Sequence, residues 1–294
     1  MKFLLNPKTK FIFSMLVFGT LGLFVRIIPL SSGEISLYRA VLAVLLIFIG
    51  FLIGKKKISF LKIKKEIPYL LLSGVAVAFN WILLFEAYRY TTVSVATLSY
   101  YFAPVLVTIV CPILFKEKLT VKGVICFVMA TLGIVLITGV GDTSLGSNHL
   151  LGIAFGLGAA VFYAIAILTN KFIKNVDGLE RTFLQFLVAI IVLIPYVLFT
   201  SGFNLQLLNG TSWVMLLIVG IVHTGFTYLL YFSSLKELTG EKIAILCYID
   251  PLVAVIISVT ILSEPLTIMQ LIGGLLILGF TLWNELSPKR KNKN

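Results

Sequence analysis

Residues 247–255 read CYIDPLVAV, with an acid and a proline side by side in an otherwise long apolar run. A carboxylate there can hold an ammonium group or exchange a proton. Pro251 removes a backbone donor and frees the carbonyl of Cys247, so polar company is available at the same depth. Other side chains with chemistry are scattered through similar apolar runs. His223 shares a helical face with Thr227 and Tyr231 at four-residue spacing, and Tyr228 flanks it. A histidine there is a candidate proton relay with Asp250, because its ordinary pKa lies near physiological pH. The stretch FNWILLFEAYRY supplies Asn80, Trp81 and Glu86. Asn80 and Glu86 fall on different faces, whereas Trp81 and Phe85, four apart, form one side of an aromatic wall. Tyr100 and Tyr101 precede Pro104 much as Cys247 and Tyr248 precede Pro251, and Tyr163 shares a helical face with Asn170, seven residues on, in another apolar run. Asp250, Trp81, Asn80, Tyr100, Tyr101, Tyr228, Glu86 and Tyr163 are therefore the candidate binding residues. Asp250 and His223 are the candidate proton carriers, and Pro104 and Pro251 the expected kinks. For Glu86 the alternatives are lining a vestibule or pairing with Arg89 or Arg39. Arg39 is the one basic residue placed to meet a substrate carboxylate, although the expectation is that it snorkels outward to water.

The elements that position these residues follow from composition. The chain has 294 residues, 59% hydrophobic and 12% charged, with a mean hydropathy of +1.07. Soluble domains carry roughly a quarter of their residues as charges. The chain reads as an all-α polytopic membrane protein. Ten spans of about 20 residues are expected near 10–28, 36–54, 67–88, 93–115, 121–139, 150–171, 180–201, 212–235, 241–262 and 268–285. The first is read as a retained span, since no small-residue cleavage site follows it. The net charge of +12 does not imply nucleic acid, because the basic residues cluster between spans. With a cytoplasmic N-terminus, all but three of the 24 basic residues (Arg26, Arg39 and Arg89) fall on the cytoplasmic side. Lys55, Lys56 and Lys57 lie in one such loop and Lys289, Arg290 and Lys291 in the tail, so anionic lipid headgroups are the expected partners. Both termini are expected inside. Cys111, Cys126 and Cys247 lie within spans and read as small apolar residues.

The chain also repeats itself. Displaced by 147 residues, Phe85–Leu106 lies over Phe232–Val253 and KEKLT (Lys116–Thr120) over SEPLT (Ser263–Thr267). Pro104 meets Pro251, Glu117 meets Glu264 and Thr120 meets Thr267, while Glu34 falls near Glu180 and Arg39 near Gln185. Thr120 and Thr267 are expected to be N-caps. Five spans in each half turn the second half over, and the loop charges change accordingly. Inverted repeats of this kind typify secondary transporters, with the site near the midplane between halves. The expected organisation is a first five-helix repeat at 1–139, an extracytoplasmic linker at 140–149, an inverted repeat at 150–286 and a basic tail at 287–294. GIAFG (Gly152–Gly156) is expected to seat one helix on another.

The paired segments APVL…KEKLT and DPLV…SEPLT, with the closing LIGGLLILGF, resemble EamA-type members of the drug/metabolite transporter superfamily. The resemblance implies a secondary carrier in the cytoplasmic membrane, commonly an exporter of amino acids or other small metabolites, with the substrate in a central cavity. Function is sought where the halves differ: Asp250 has Ala103 as its counterpart. The expected activity is alternating-access transport of a small amphipathic solute, driven by the solute gradient or by protons. Uptake of a cationic or vitamin-like nutrient and flipping of a lipid carrier are the alternatives. No phosphate loop, H-E-x-x-H or paired-acid motif is present, and His149 falls in a loop. No enzyme activity, cofactor, metal or nucleic-acid partner is expected. The assembly is read as a monomer or weak dimer.

Overall fold

The computed structural model describes residues 6–54, 63–116, 119–138, 147–235 and 237–286, and every secondary-structure element among them is helical. The expected features at Glu117, most of the basic 55–65 loop, most of the linker and the tail lie outside the described residues. Among the described residues the helices group in chain order into consecutive rods. They are α1 (Pro7–Ile27), α2 (Ser32–Ile53), α3 (Ile67–Tyr90), α4 (Val93–Leu114) and α5 (Val121–Ile137). The remainder are α6 (Ser147–Asn170), α7 (Gly178–Thr200), α8 (Gly210–Leu235), α9 (Gly240–Cys247 and Ile249–Thr260) and α10 (Ile268–Glu285). Among the described residues eight helices are long and apolar enough to cross a membrane; Val121–Ile137 and Ile245–Thr260 are shorter apolar helices. His149, expected in a loop, lies in the first turn of α6, buried and 2.8 Å from the Thr91 hydroxyl.

The polar residues at rod ends work as caps. Thr120 accepts from Gly123 N, and Thr267 with Gln270 closes a reciprocal box. Ser31 and Glu34 form a second box, which starts α2 four residues before the expected boundary. Each such cap supplies an acceptor to an otherwise orphaned N–H and is worth about 1 kcal/mol. Within the rods, packing relies on close backbone approach. Gly133 and Gly273 meet reciprocally between α5 and α10: a Cβ on either would lie 2.6 or 2.5 Å from the other's carbonyl oxygen. Gly152 seats α6 against Thr91, the C-cap of α3, and Gly156 against Ala96 and Ser99 of α4.

Four rods are interrupted. α1 breaks at Thr20, between Pro7–Gly19 and Leu21–Ile27. α4 breaks between Val93–Tyr100 and Ala103–Leu114, and α9 between Gly240–Cys247 and Ile249–Thr260. α8 carries a π-helical stretch, Ile218–Phe226. Five-residue spacing there lets the Thr224 and Thr227 hydroxyls donate to the carbonyls of Val219 and Val222. It also sets Gly220 and Gly225, five apart, against Leu42 and Leu46 of α2.

Several positions 147 residues apart share local shape. Residues 93–100 and 240–247 are both short helices, Tyr101 and Tyr248 are their C-caps, and Lys116 and Ser263 both adopt positive φ, 56° and 54°. The packing has the same exchange rule. α2 lies on α8 as α7 lies on α3, and α1 lies on α9 as α6 lies on α4. α2–α7, α4–α9 and α5–α10 each pair directly.

Candidate functional site

The breaks in α4 and α9 face each other. Neither proline kinks a continuous helix, as the sequence suggested. Pro104 and Pro251 instead stand in the first turn of a new helix, where the missing N–H costs nothing. Asp250 shares that first turn in α9, at the positive end of the helix dipole. Its Oδ2 accepts a hydrogen bond from the Tyr101 hydroxyl at 2.7 Å, and the same hydroxyl lies 3.5 Å from the Cys247 carbonyl oxygen. The single O–H proton of Tyr101 goes to the acid, and the carbonyl that Pro251 leaves free lies at the edge of its reach. Gly19 of α1 completes the approach, since a Cβ there would fall 2.6 Å from both the Asp250 carbonyl oxygen and Val253 Cβ.

Aromatic rings surround the acid. Tyr100 stacks on Tyr163 at 5.2 Å between centroids and meets Tyr101 edge-on at 5.9 Å. Tyr101 is 6.5 Å from Tyr248. Tyr228 is ringed by Phe18 (5.2 Å), Phe186 (5.4 Å) and Tyr231 (6.4 Å). Tyr100, Tyr163, Tyr228 and Tyr88 all stand within electrostatic reach of Asp250. Tyr163 keeps 38% of its surface open. Asp250, Tyr100, Tyr101, Tyr163 and Tyr228 are therefore brought together.

The remaining candidates are placed elsewhere. Asn80 is buried and turned toward α6, its Nδ2 donating to the Ala159 carbonyl at 2.8 Å. Glu86 is half-buried and pairs with Arg89 at 3.8 Å. Trp81 is buried, edge-on to Phe186, with one ring face covered by the Arg39 guanidinium at 4.4 Å. His223 faces α1: Nε2 is 2.8 Å from the Thr20 hydroxyl, Nδ1 is 3.3 Å from the Ile218 carbonyl, and Phe24 lies edge-on at 4.7 Å. Ser14 donates to the Thr227 carbonyl at 3.5 Å and Phe11 meets Tyr231 at 5.3 Å. Among the described residues no hydrogen bond joins His223 to Asp250.

Arg39 departs from expectation. It does not snorkel; it is 3% exposed, over Trp81 and 5.2 Å from the Phe85 ring centroid, with Nε donating to the Thr224 hydroxyl at 3.0 Å. Trp81, Phe85 and Tyr88 share one face of α3, so the aromatic wall read from the sequence holds a cation belonging to the protein itself. The signal for its burial was the i, i+4 aromatic pair itself, a ready cation–π seat.

Toward the α1–α2 end a pocket of about 600 Å³ is lined by Arg26, Glu34, Tyr88, Arg89 and Asn204 among others. Beside it Arg26 pairs with Glu264 at 2.8 Å. Glu264 also accepts from Val93 N at 2.8 Å, capping α4, and from the Ser258 hydroxyl of α9. Three rods are latched by this one carboxylate.

Broken apolar helices pack around a half-buried acid and several tyrosines, and helices of this length and composition suit a polytopic membrane protein. The chain belongs to the EamA-like transporter family, which it matches over residues 9–139 and again over 150–284. It is 34% identical over 272 residues to the "Uncharacterized transporter YxxF" of Bacillus subtilis (strain 168), covering 91% of this chain and 86% of that one. An "Uncharacterized transporter" of Archaeoglobus fulgidus is 28% identical over 280 residues, covering 93% and 95%. A crystal structure with 15% sequence identity superposes with a TM-score of 0.64, covering 94% of this chain and 96% of that one, and shares the fold.

Proposed function

We propose that this membrane transporter is a secondary carrier for a small amphipathic metabolite, an amine or an amino-acid-like solute, working by alternating access in the cytoplasmic membrane. In this reading all ten rods cross the bilayer with both termini cytoplasmic. Residues 1–139 and 150–286 are inverted copies joined by a short outer linker. The exchange rule in the packing, the matched breaks and the two separate family matches support the repeat. The α1–α2 end is then the outer face. The 600 Å³ pocket is an outer vestibule with Tyr88 at its floor, and the Arg26–Glu264 pair is an outer latch. Export is the direction the family resemblance assigns.

The observation that carries the reading is the Tyr101–Asp250 hydrogen bond at the facing breaks. It joins the two halves through a carboxylate deep in the bundle, where burying an ionised acid costs several kcal/mol unless it is partnered. A substrate ammonium or a proton taken up by Asp250 competes with Tyr101 for the same oxygen. Binding therefore loosens the α4–α9 contact that rocking must break. Differential interaction of this kind is what allows a ligand to shift a conformational equilibrium. The test is counterflow: purified protein in liposomes preloaded with unlabelled metabolites accumulates labelled solute from outside without nucleotide. Failure to exchange any amine, amino acid or related solute overturns the reading.

A further inference from the structure

One buried cation has no counter-ion. Arg39 is 3% exposed, and among the described residues it takes part in no ion pair. Its Nη1 is buried without a hydrogen-bond partner. Taking a guanidinium out of water costs several kcal/mol, and a cation–π contact with one hydroxyl acceptor offsets only part of it. The group is also held in place. Nε is tied to Thr224 of α8, and the guanidinium lies over Trp81. A planar donor fixed in this way and lacking an anion suits a carboxylate, which accepts its N–H groups in the same plane.

The location adds a second constraint. Arg39 lies five residues along α2 from Glu34, a residue of the 600 Å³ pocket, and so about 7.5 Å of helix rise further along the rod. Tyr88 lines that pocket, and Tyr88 and Tyr228 each stand within electrostatic reach of both Arg39 and Asp250. A solute lying along these two tyrosines presents one end to the cation of α2 and the other to the acid of α9.

We infer that Arg39 is an anion-binding residue of the substrate site, its free Nη1–H donating to a carboxylate of the transported solute. This rests on the carrier reading and narrows it: the substrate carries a carboxylate that points to α2, and simple amines are excluded. The test uses Trp81, 4.4 Å from the guanidinium, as reporter, with the other two tryptophans removed (Trp213→Phe, Trp283→Phe). The probes are the common amino acids as free acids, the same compounds as carboxamides, and sodium chloride. The expected result is a change in Trp81 emission with at least one free acid, on the order of 10–100-fold weaker for its amide. Arg39→Met removes that discrimination and Arg39→Lys restores part of it. Acid and amide acting alike, a response to chloride alone, or an unaltered preference for the acid in Arg39→Met overturns the inference. The acid–amide comparison in native Arg39 stands even where a variant fails to fold. In liposomes, exchange of amides or amines without any free acid sinks the role of Arg39 and leaves the carrier; exchange of nothing sinks both.

Discussion

Tyr101→Phe isolates the contact on which the site depends. The substitution removes one oxygen and leaves the ring, so the contacts with Tyr100 at 5.9 Å and Tyr248 at 6.5 Å persist and no methyl-sized cavity opens. What disappears is the 2.7 Å hydrogen bond to Asp250 and the weaker approach to the Cys247 carbonyl at 3.5 Å. A hydrogen bond to a charged group contributes about 1.5–3 kcal/mol. The 3.5 Å contact adds little. The α4–α9 junction should therefore be weakened by roughly 1.5–3 kcal/mol, about 10–150-fold in the equilibrium between joined and separated halves. Distance distributions between spin labels on α4 and α9 should show a new, longer population. Tyr90→Phe, at an exposed end of α3, serves as the control and should leave the distribution unchanged. Identical distributions in wild type and Tyr101→Phe, with equal unfolding free energies, would refute the reasoning.

Glu264→Gln removes the charge that pairs with Arg26 and caps α4. Losing a partly buried ion pair of this kind should raise labelling of a cysteine placed at Tyr88 by an impermeant maleimide; unchanged labelling contradicts the latch. Gly273→Leu forces a side chain against the Gly133 carbonyl in the α5–α10 seam. Overpacking of this sort costs about 1–3 kcal/mol, seen as a lower melting temperature in detergent, whereas Gly279→Leu, with open space around it, should be neutral. His223→Gln should leave the pH profile of counterflow in place, because the imidazole is engaged with Thr20 and the Ile218 carbonyl rather than with Asp250. A flattened profile would restore the relay.

Much of the architecture was legible because it depends on local rules. Thr120 and Thr267 precede helices as capping residues should, and both cap. Pro104 and Pro251 mark real interruptions, since no continuous helix tolerates them cheaply, although each opens a new helix instead of bending an old one. Asp250 stood out because an acid in an apolar run must find polar company, and Tyr101 provides it. The rest needed tertiary information. Asn80 looked available until the Ala159 carbonyl was seen to occupy its donor. Arg39 looked free to reach water, yet it lies over Trp81 and Phe85 from another rod. The Ser31-x-x-Glu34 box was readable and would have moved the start of α2 back to its observed place. The π stretch of α8 left one trace, glycines five apart at 220 and 225, which acquires meaning only beside Leu42 and Leu46.

The central claim is that the carboxylate at the facing helix breaks is where transport is coupled. It is tested most directly by counterflow in proteoliposomes, comparing wild type with Asp250→Asn. The amide keeps the shape of the side chain and can still accept from the Tyr101 hydroxyl, so the melting temperature should stay close to wild type. Counterflow should fall at least tenfold, corresponding to about 1.4 kcal/mol or more. Exchange at the wild-type rate by a folded Asp250→Asn protein would contradict the account.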